Sequence, residues 1–172
     1  MISKKGFLVA AVLICMLYNI GCTIENNKEN IDREIIRYLN MPVQDIIDLT
    51  NAGFDELSSI EVFEPNVLFP YIEAEPFLVI CRNSDTTYMP IYISLYQDDE
   101  EKYLEMLHLN ANMSFQDILE VMGTASVEES KEGAGGKRYM ISFGAGELEY
   151  CFCSDNPDGK RFELYIGLAE NS

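Results

Sequence analysis

The chain has no tryptophan, a single histidine and few basic side chains: 12 Lys+Arg stand against 29 Asp+Glu, for a formal net charge of −17. The shortage of positive charge excludes a nucleic-acid surface, because phosphate binding needs a Lys/Arg stripe. It equally excludes electrostatic docking on anionic lipid. His108 alone, with no Cys-x-x-Cys, cannot build a zinc site at any familiar spacing, and neither a metal nor a cofactor is expected. Long apolar runs are also scarce. The run Phe7–Leu17 holds 11 residues, about 16 Å of helix against a hydrocarbon core of about 30 Å, which is too short for a permanent span.

What is present is a packable chain: 48% of its residues are hydrophobic, with nine Phe and ten Tyr. That excludes a disordered acidic tail. The apolar run follows Lys4 and Lys5 and closes on Gly21-Cys22, the layout of an export signal. This ending resembles the lipobox of bacterial lipoproteins, with Asn19 where that pattern usually has Leu. The resemblance implies a diacylglyceryl group on Cys22, cleavage before it, and a lipid-anchored chain on the extracytoplasmic face of a cell membrane. Residues 1–22 are then the signal peptide, 23–30 a polar tether, 31–109 a first repeat unit and 110–172 a second. Of the remaining cysteines, Cys151 and Cys153 point the same way along a strand and would bridge only with strain. A bridge from Cys81 to one of them stays open beside the simpler reading of three buried thiols.

The two units rest on an internal match. Met41–Leu49 aligns with Met113–Val121 at an offset of 72, with Met, Gln, Asp and Ile identical. Downstream, Pro76–Cys81 falls opposite Leu148–Cys153, and Met89–Leu95 near Arg161–Leu168. Phe115, Ile118, Leu119 and Met122 form one apolar helical face, with Ser114 and Asp117 as a capping box and Gly123 beyond the end; Pro42 takes Ser114's place as a first-turn proline. Residues 31–40 open the fold as a helix. Leu148–Cys153 and Phe162–Leu168 form a hairpin around Asp155–Gly159. In the first unit Met89, Ile91, Ile93 and Leu95 face inward and Tyr92, Ser94 and Tyr96 outward. The acidic segment 97–101 is expected to be a turn into one more strand, Tyr103–Leu109.

The expected fold is thus α+β: two tandem helix-plus-antiparallel-strand repeats forming a curved sheet with helices on one face. This order, behind a lipobox, resembles the tandem-repeat fold of β-lactamase inhibitor protein and of small outer-membrane-assembly lipoproteins. The resemblance implies a curved sheet that works by binding proteins, without naming the partner.

Catalytic motifs fail on inspection. Gly133–Lys137 lacks Walker spacing, and Ser154–Gly159 lacks the glutamate a calcium loop requires, since Tyr165 stands there. No Gly-x-Ser-x-Gly occurs. The chain is therefore not expected to be an enzyme. The outward tyrosines Tyr92, Tyr96 and Tyr165 are the candidate partner-binding residues, because tyrosine offers large amphipathic contact area at low entropy cost. An unidentified protein partner is expected; a structural accessory role in an envelope complex, a small-ligand carrier and a hydrolase remain alternatives, and the oligomeric state is open.

Overall fold

A computed structural model describes residues 27–51, 54–62, 67–84, 87–123, 126–129, 137–156, 158–160 and 162–169. The signal-like segment, Cys22 and residues 130–136 lie outside the described residues. Among the described residues, no helix is long and apolar enough to cross a membrane.

Helix α1 covers residues 27–39, so the last four residues of the expected tether are helical. Two i,i+4 pairs support that first stretch: Lys28–Asp32 at 2.6 Å and Glu29–Arg33 at 3.0 Å. Helix α2, Val43–Thr50, follows at once and buries Val43 and Ile46. Pro42 stands at its N-cap rather than inside its first turn, and Asn51 closes it at φ 50°. Four strands come next: β1 Phe54–Glu61, β2 Leu68–Ala74, β3 Phe77–Ser84 and β4 Thr87–Leu95.

The expected strand at Tyr103–Leu109 is not there. Residues Gln97–Met106 form helix α3, with Asp98, Asp99 and Glu100 in its first turn. Carboxylates at a helix N-terminus are stabilised by the unpaired N–H groups, and Tyr103, Leu104 and Leu107 fall on one buried face. The acidic segment is the start of a helix, not a turn. Helix α4, Phe115–Met122, carries the capping box as expected: the Asp117 N–H donates to Ser114 Oγ (3.3 Å) and the Ser114 N–H to Asp117 Oδ2 (2.8 Å). Gly123 ends it at φ 94°, a conformation that a side chain would strain. Strands β5 Ser126–Glu129, β6 Tyr139–Ala145, β7 Leu148–Ser154 and β8 Glu163–Leu168 complete the chain.

All eight strands join one antiparallel sheet in the order β1-β2-β3-β4-β8-β7-β6-β5. Four consecutive strands thus form each side, and β4 meets β8 at Ile93↔Ile166. Alternation divides the strand side chains into two sets. Ile72, Val79, Ile93, Ile141, Tyr150, Phe152, Leu164 and Ile166 pack with Ile35, Ile46, Leu104 and Ile118 from the four helices in the larger core. The other set builds a smaller cluster of Val62, Phe69, Ile80, Cys151, Cys153 and Tyr165, which contains no helical residue.

A bulge corrects the expected phase of β4. Ile80 pairs with Tyr92 but Cys81 with Pro90, so Ile91 is the extra residue. Beyond the bulge the alternation flips: Tyr88 packs on the larger core, Ile91 joins Tyr92 at the smaller cluster, and Met89 is 56% exposed. The inward set of β4 is therefore Tyr88, Ile93 and Leu95, not Met89 and Ile91.

Candidate functional site

The second face of the sheet is where the candidate tyrosines fall, and it is only partly open. The sheet curls until Val62, just past β1, packs with Cys153 of β7 and Tyr165 of β8. Arg138, just ahead of β6, ties the two ends: its Nη1 donates to the Glu61 carbonyl (3.1 Å) and its Nη2 pairs with Glu163. This closure fills one half of the face with apolar side chains.

Tyr165 is a casualty of that closure. It is only 2% exposed, and its hydroxyl donates to Glu163 Oε2 at 2.8 Å. Burial first, and the charge of Glu163 next, push its ionisation far above the ordinary tyrosine range. Tyr165 points to the face opposite the helices as expected, but it is a core residue there and not an exposed contact. Tyr92 is half-buried at the edge of the same cluster, its hydroxyl raised chiefly by burial. Tyr96 is 38% exposed and sits one residue past β4, at the N-cap of α3. Its backbone N–H donates to the Pro76 carbonyl (3.3 Å), at the turn Glu75-Pro76 between β2 and β3, whose peptide bond is cis. The structure therefore leaves Tyr96 open and Tyr92 flanking, and withdraws Tyr165.

A polar cleft of about 960 Å³ lies beside this face, between the start of α3 and the β7–β8 hairpin. Glu100, Glu101, Asn112, Arg138, Asn156, Lys160 and Glu163 line it. The Glu100 carboxyl is pushed up to about 7, by burial first and then by repulsion from Glu163 and Glu101. Glu163 is the carboxylate that pairs with the Arg138 guanidinium, and Glu100 faces its negative charge. Sequence reasoning misses this cleft, because it joins positions 97–101 to 138 and 153–163 only through the start of α3, whose acids read as a turn.

A second polar group is equally invisible in the sequence. Lys28 Nζ pairs with Asp32 Oδ2 and also donates to Tyr150 Oη at 3.1 Å. Tyr103 Oη donates to the other Asp32 oxygen at 2.5 Å and lies 3.1 Å from Tyr150 Oη. Lys28 Nζ sits 5.8 and 5.6 Å from the centroids of the Tyr103 and Tyr150 rings. Burial works to lower the Lys28 pKa, but its bonds to Asp32 and Tyr150 outweigh it and hold the ammonium above its ordinary value. Burial, then Tyr150 and Asp32, drives Tyr103 far up. The four groups bind α1 to α3 and β7.

Among the described residues, Cys81, Cys151 and Cys153 are buried. Cys81 belongs to the larger core while Cys151 and Cys153 belong to the smaller, so the sheet itself separates them. Burial pushes the Cys81 thiol up to about 12, which leaves it un-ionised and inert. Among the described residues no group of three or more His, Cys, Asp or Glu side chains is placed to hold a metal. No family model, curated protein or solved structure matches this chain.

Proposed function

We propose that the chain is an extracytoplasmic protein-binding module, anchored to a membrane by lipid on Cys22 and built from two tandem repeats. The observation that carries the binding reading is Tyr96, an exposed ring at the rim of the half-filled sheet face, four residues along the chain from half-buried Tyr92. Amphipathic aromatics at a rigid strand end suit recognition at low entropy cost.

Several registers support the duplication. Divided at Tyr96 rather than at residue 109, the described residues of each half hold two helices and then four strands, so α3 goes with the second unit in this reading. Helices α2 and α4 have eight residues each at the offset of 72. Two-residue turns join Ala74↔Phe77 in one half and Ala145↔Leu148 in the other. Exposed apolar residues repeat too: Leu49 with Val121, and Tyr96 with Leu168. In this reading the helices of both repeats cover one face of the curved sheet, and the unfilled rim of the other is left for a partner, an arrangement resembling that of β-lactamase inhibitor protein.

The anchor is tested by expressing wild type and Cys22→Ser in a bacterial host with a fatty-acid tracer. Labelled wild type and an unlabelled variant support the proposal; equal labelling overturns it. The binding role is tested by affinity capture from native membranes with the lipidated chain. A protein retained by wild type and lost with Tyr96→Ser supports it, and retention by neither overturns it.

A further inference from the structure

Tyr96 does not stand alone. Its backbone hydrogen bond fixes it against the Glu75–Pro76 turn, and burial first, then the nearby Glu73 and Glu75 with Tyr71 beside them, disfavour ionisation of its hydroxyl. Tyr71 and Glu73 project to one side of β2, opposite Ile80 and Leu78 of β3. Glu73 and Glu75 are exposed, and among the described residues neither is in an ion pair. Farther along the same face, Tyr92 has both Glu149 and the Arg82 guanidinium within electrostatic reach, so that stretch carries a cation of its own. The carboxylates that lack an ion pair among the described residues, Glu73 and Glu75, thus share this rim with Tyr71 and Tyr96, in a chain whose net charge is −17.

We infer that the rim formed by Tyr71, Glu73, Glu75 and Tyr96 receives a Lys- or Arg-bearing segment of the protein partner, an inference that rests on the binding-module reading above. A cation that stacks on a tyrosine face while within reach of a carboxylate gains from both the ring quadrupole and the charge. The molecule already uses this chemistry internally, where Lys28 lies over Tyr103 and Tyr150 and pairs with Asp32. At the rim the rings and carboxylates are supplied and the cation is left to the partner. The neighbouring cleft differs, because Arg138 and Lys160 bring cations of their own to its carboxylates.

The test titrates the isotope-labelled full chain, in zwitterionic micelles, with a Lys-Ser repeat peptide of about ten residues and with its Glu-Ser counterpart. Backbone resonance shifts concentrated at residues 71–78 and 94–97, seen with the Lys peptide only, are the expected result. Glu73→Gln with Glu75→Gln should raise its Kd about tenfold, and Tyr96→Ser severalfold, whereas Tyr96→Phe keeps the ring and the affinity. Asp98→Asn with Glu101→Gln removes equal charge from α3 and should change Kd less than about twofold. Shifts spread over the acidic surface, or α3 variants that weaken binding as much as the rim variants, overturn the inference. A membrane partner captured equally by wild type and the Glu73/Glu75 variant would also overturn it while leaving the module reading standing. Localised peptide shifts with no membrane partner would do the reverse.

Discussion

The ring of Tyr92 lies over the backbone of Gly167. A Cβ at position 167 would come within 2.9 Å of Tyr92 Cε1, 3.1 Å of Cδ1 and 3.3 Å of the Ile91 carbonyl oxygen. The contact sits one residue from Ile93↔Ile166, where the two four-stranded halves of the sheet join. Gly167→Ala should therefore overpack this seam and destabilise the protein by about 1–3 kcal/mol. Gly144, where an added methyl would meet nothing within 4 Å, is the control and should tolerate Ala. Urea unfolding of both variants checks the pair, and adding Tyr92→Ser to Gly167→Ala should recover part of the loss.

The Lys28–Asp32–Tyr103–Tyr150 group is the second test. Asp32→Ala removes the charged acceptor of the buried Tyr103 hydroxyl and the partner of Lys28, leaving Tyr103 only Tyr150 Oη, and should cost about 1–3 kcal/mol. Combined with Tyr103→Phe, the losses should fall short of additive by about 0.5 kcal/mol or more, since the residues share one network. Additive losses would mean that the bonds contribute little.

Glu100 gives a pH dependence with a definite sign. Its folded pKa, near 7, stands above the ordinary glutamate value of 4.5. Between those values the folded state holds the extra proton, so stability falls as pH rises from about 4.5 to about 7 and then levels. Glu100→Gln should raise stability at pH 8 by on the order of 1–3 kcal/mol and change it little at pH 4. Thermal unfolding across that range measures it. A Glu100→Gln gain independent of pH would contradict the assignment.

The tyrosines should separate by burial. Tyr165→Ser removes a core ring packed with Cys151 and Cys153 and should cost about 3–5 kcal/mol. Tyr96→Ser changes an exposed side chain and should cost about 0.5 kcal/mol or less. Comparable losses would mean that Tyr96 is buried against the turn more deeply than its exposure indicates.

Periodicity makes much of this fold legible. The apolar spacing of 115–122, the Ser114/Asp117 cap and the alternation of 148–153 are local signals, and each produces the element observed. The helix at 97–106 is hidden because acids at a helix start and acids in a turn read alike, and only burial of Tyr103 and Leu104 against the sheet decides between them. The bulge at Ile91 has one local signal, Pro90, because a proline inside a strand paired on both sides belongs at a bulge, and alternation alone passes over it. Alternation places Tyr165 on the correct face, but its burial depends on Val62 arriving from across the curled sheet. A strand's period assigns a side chain to a face; it does not say what comes to cover that face.

Whether a protein partner meets the sheet rim at Tyr96 can be read out by site-specific photo-crosslinking on intact cells. A photoreactive amino acid would replace Tyr96, or in turn Leu49 and Val121, which are exposed on α2 and α4. A discrete protein adduct from position 96, with little from 49 or 121, is the expected result. Adducts from the helix positions with none from position 96 would contradict it.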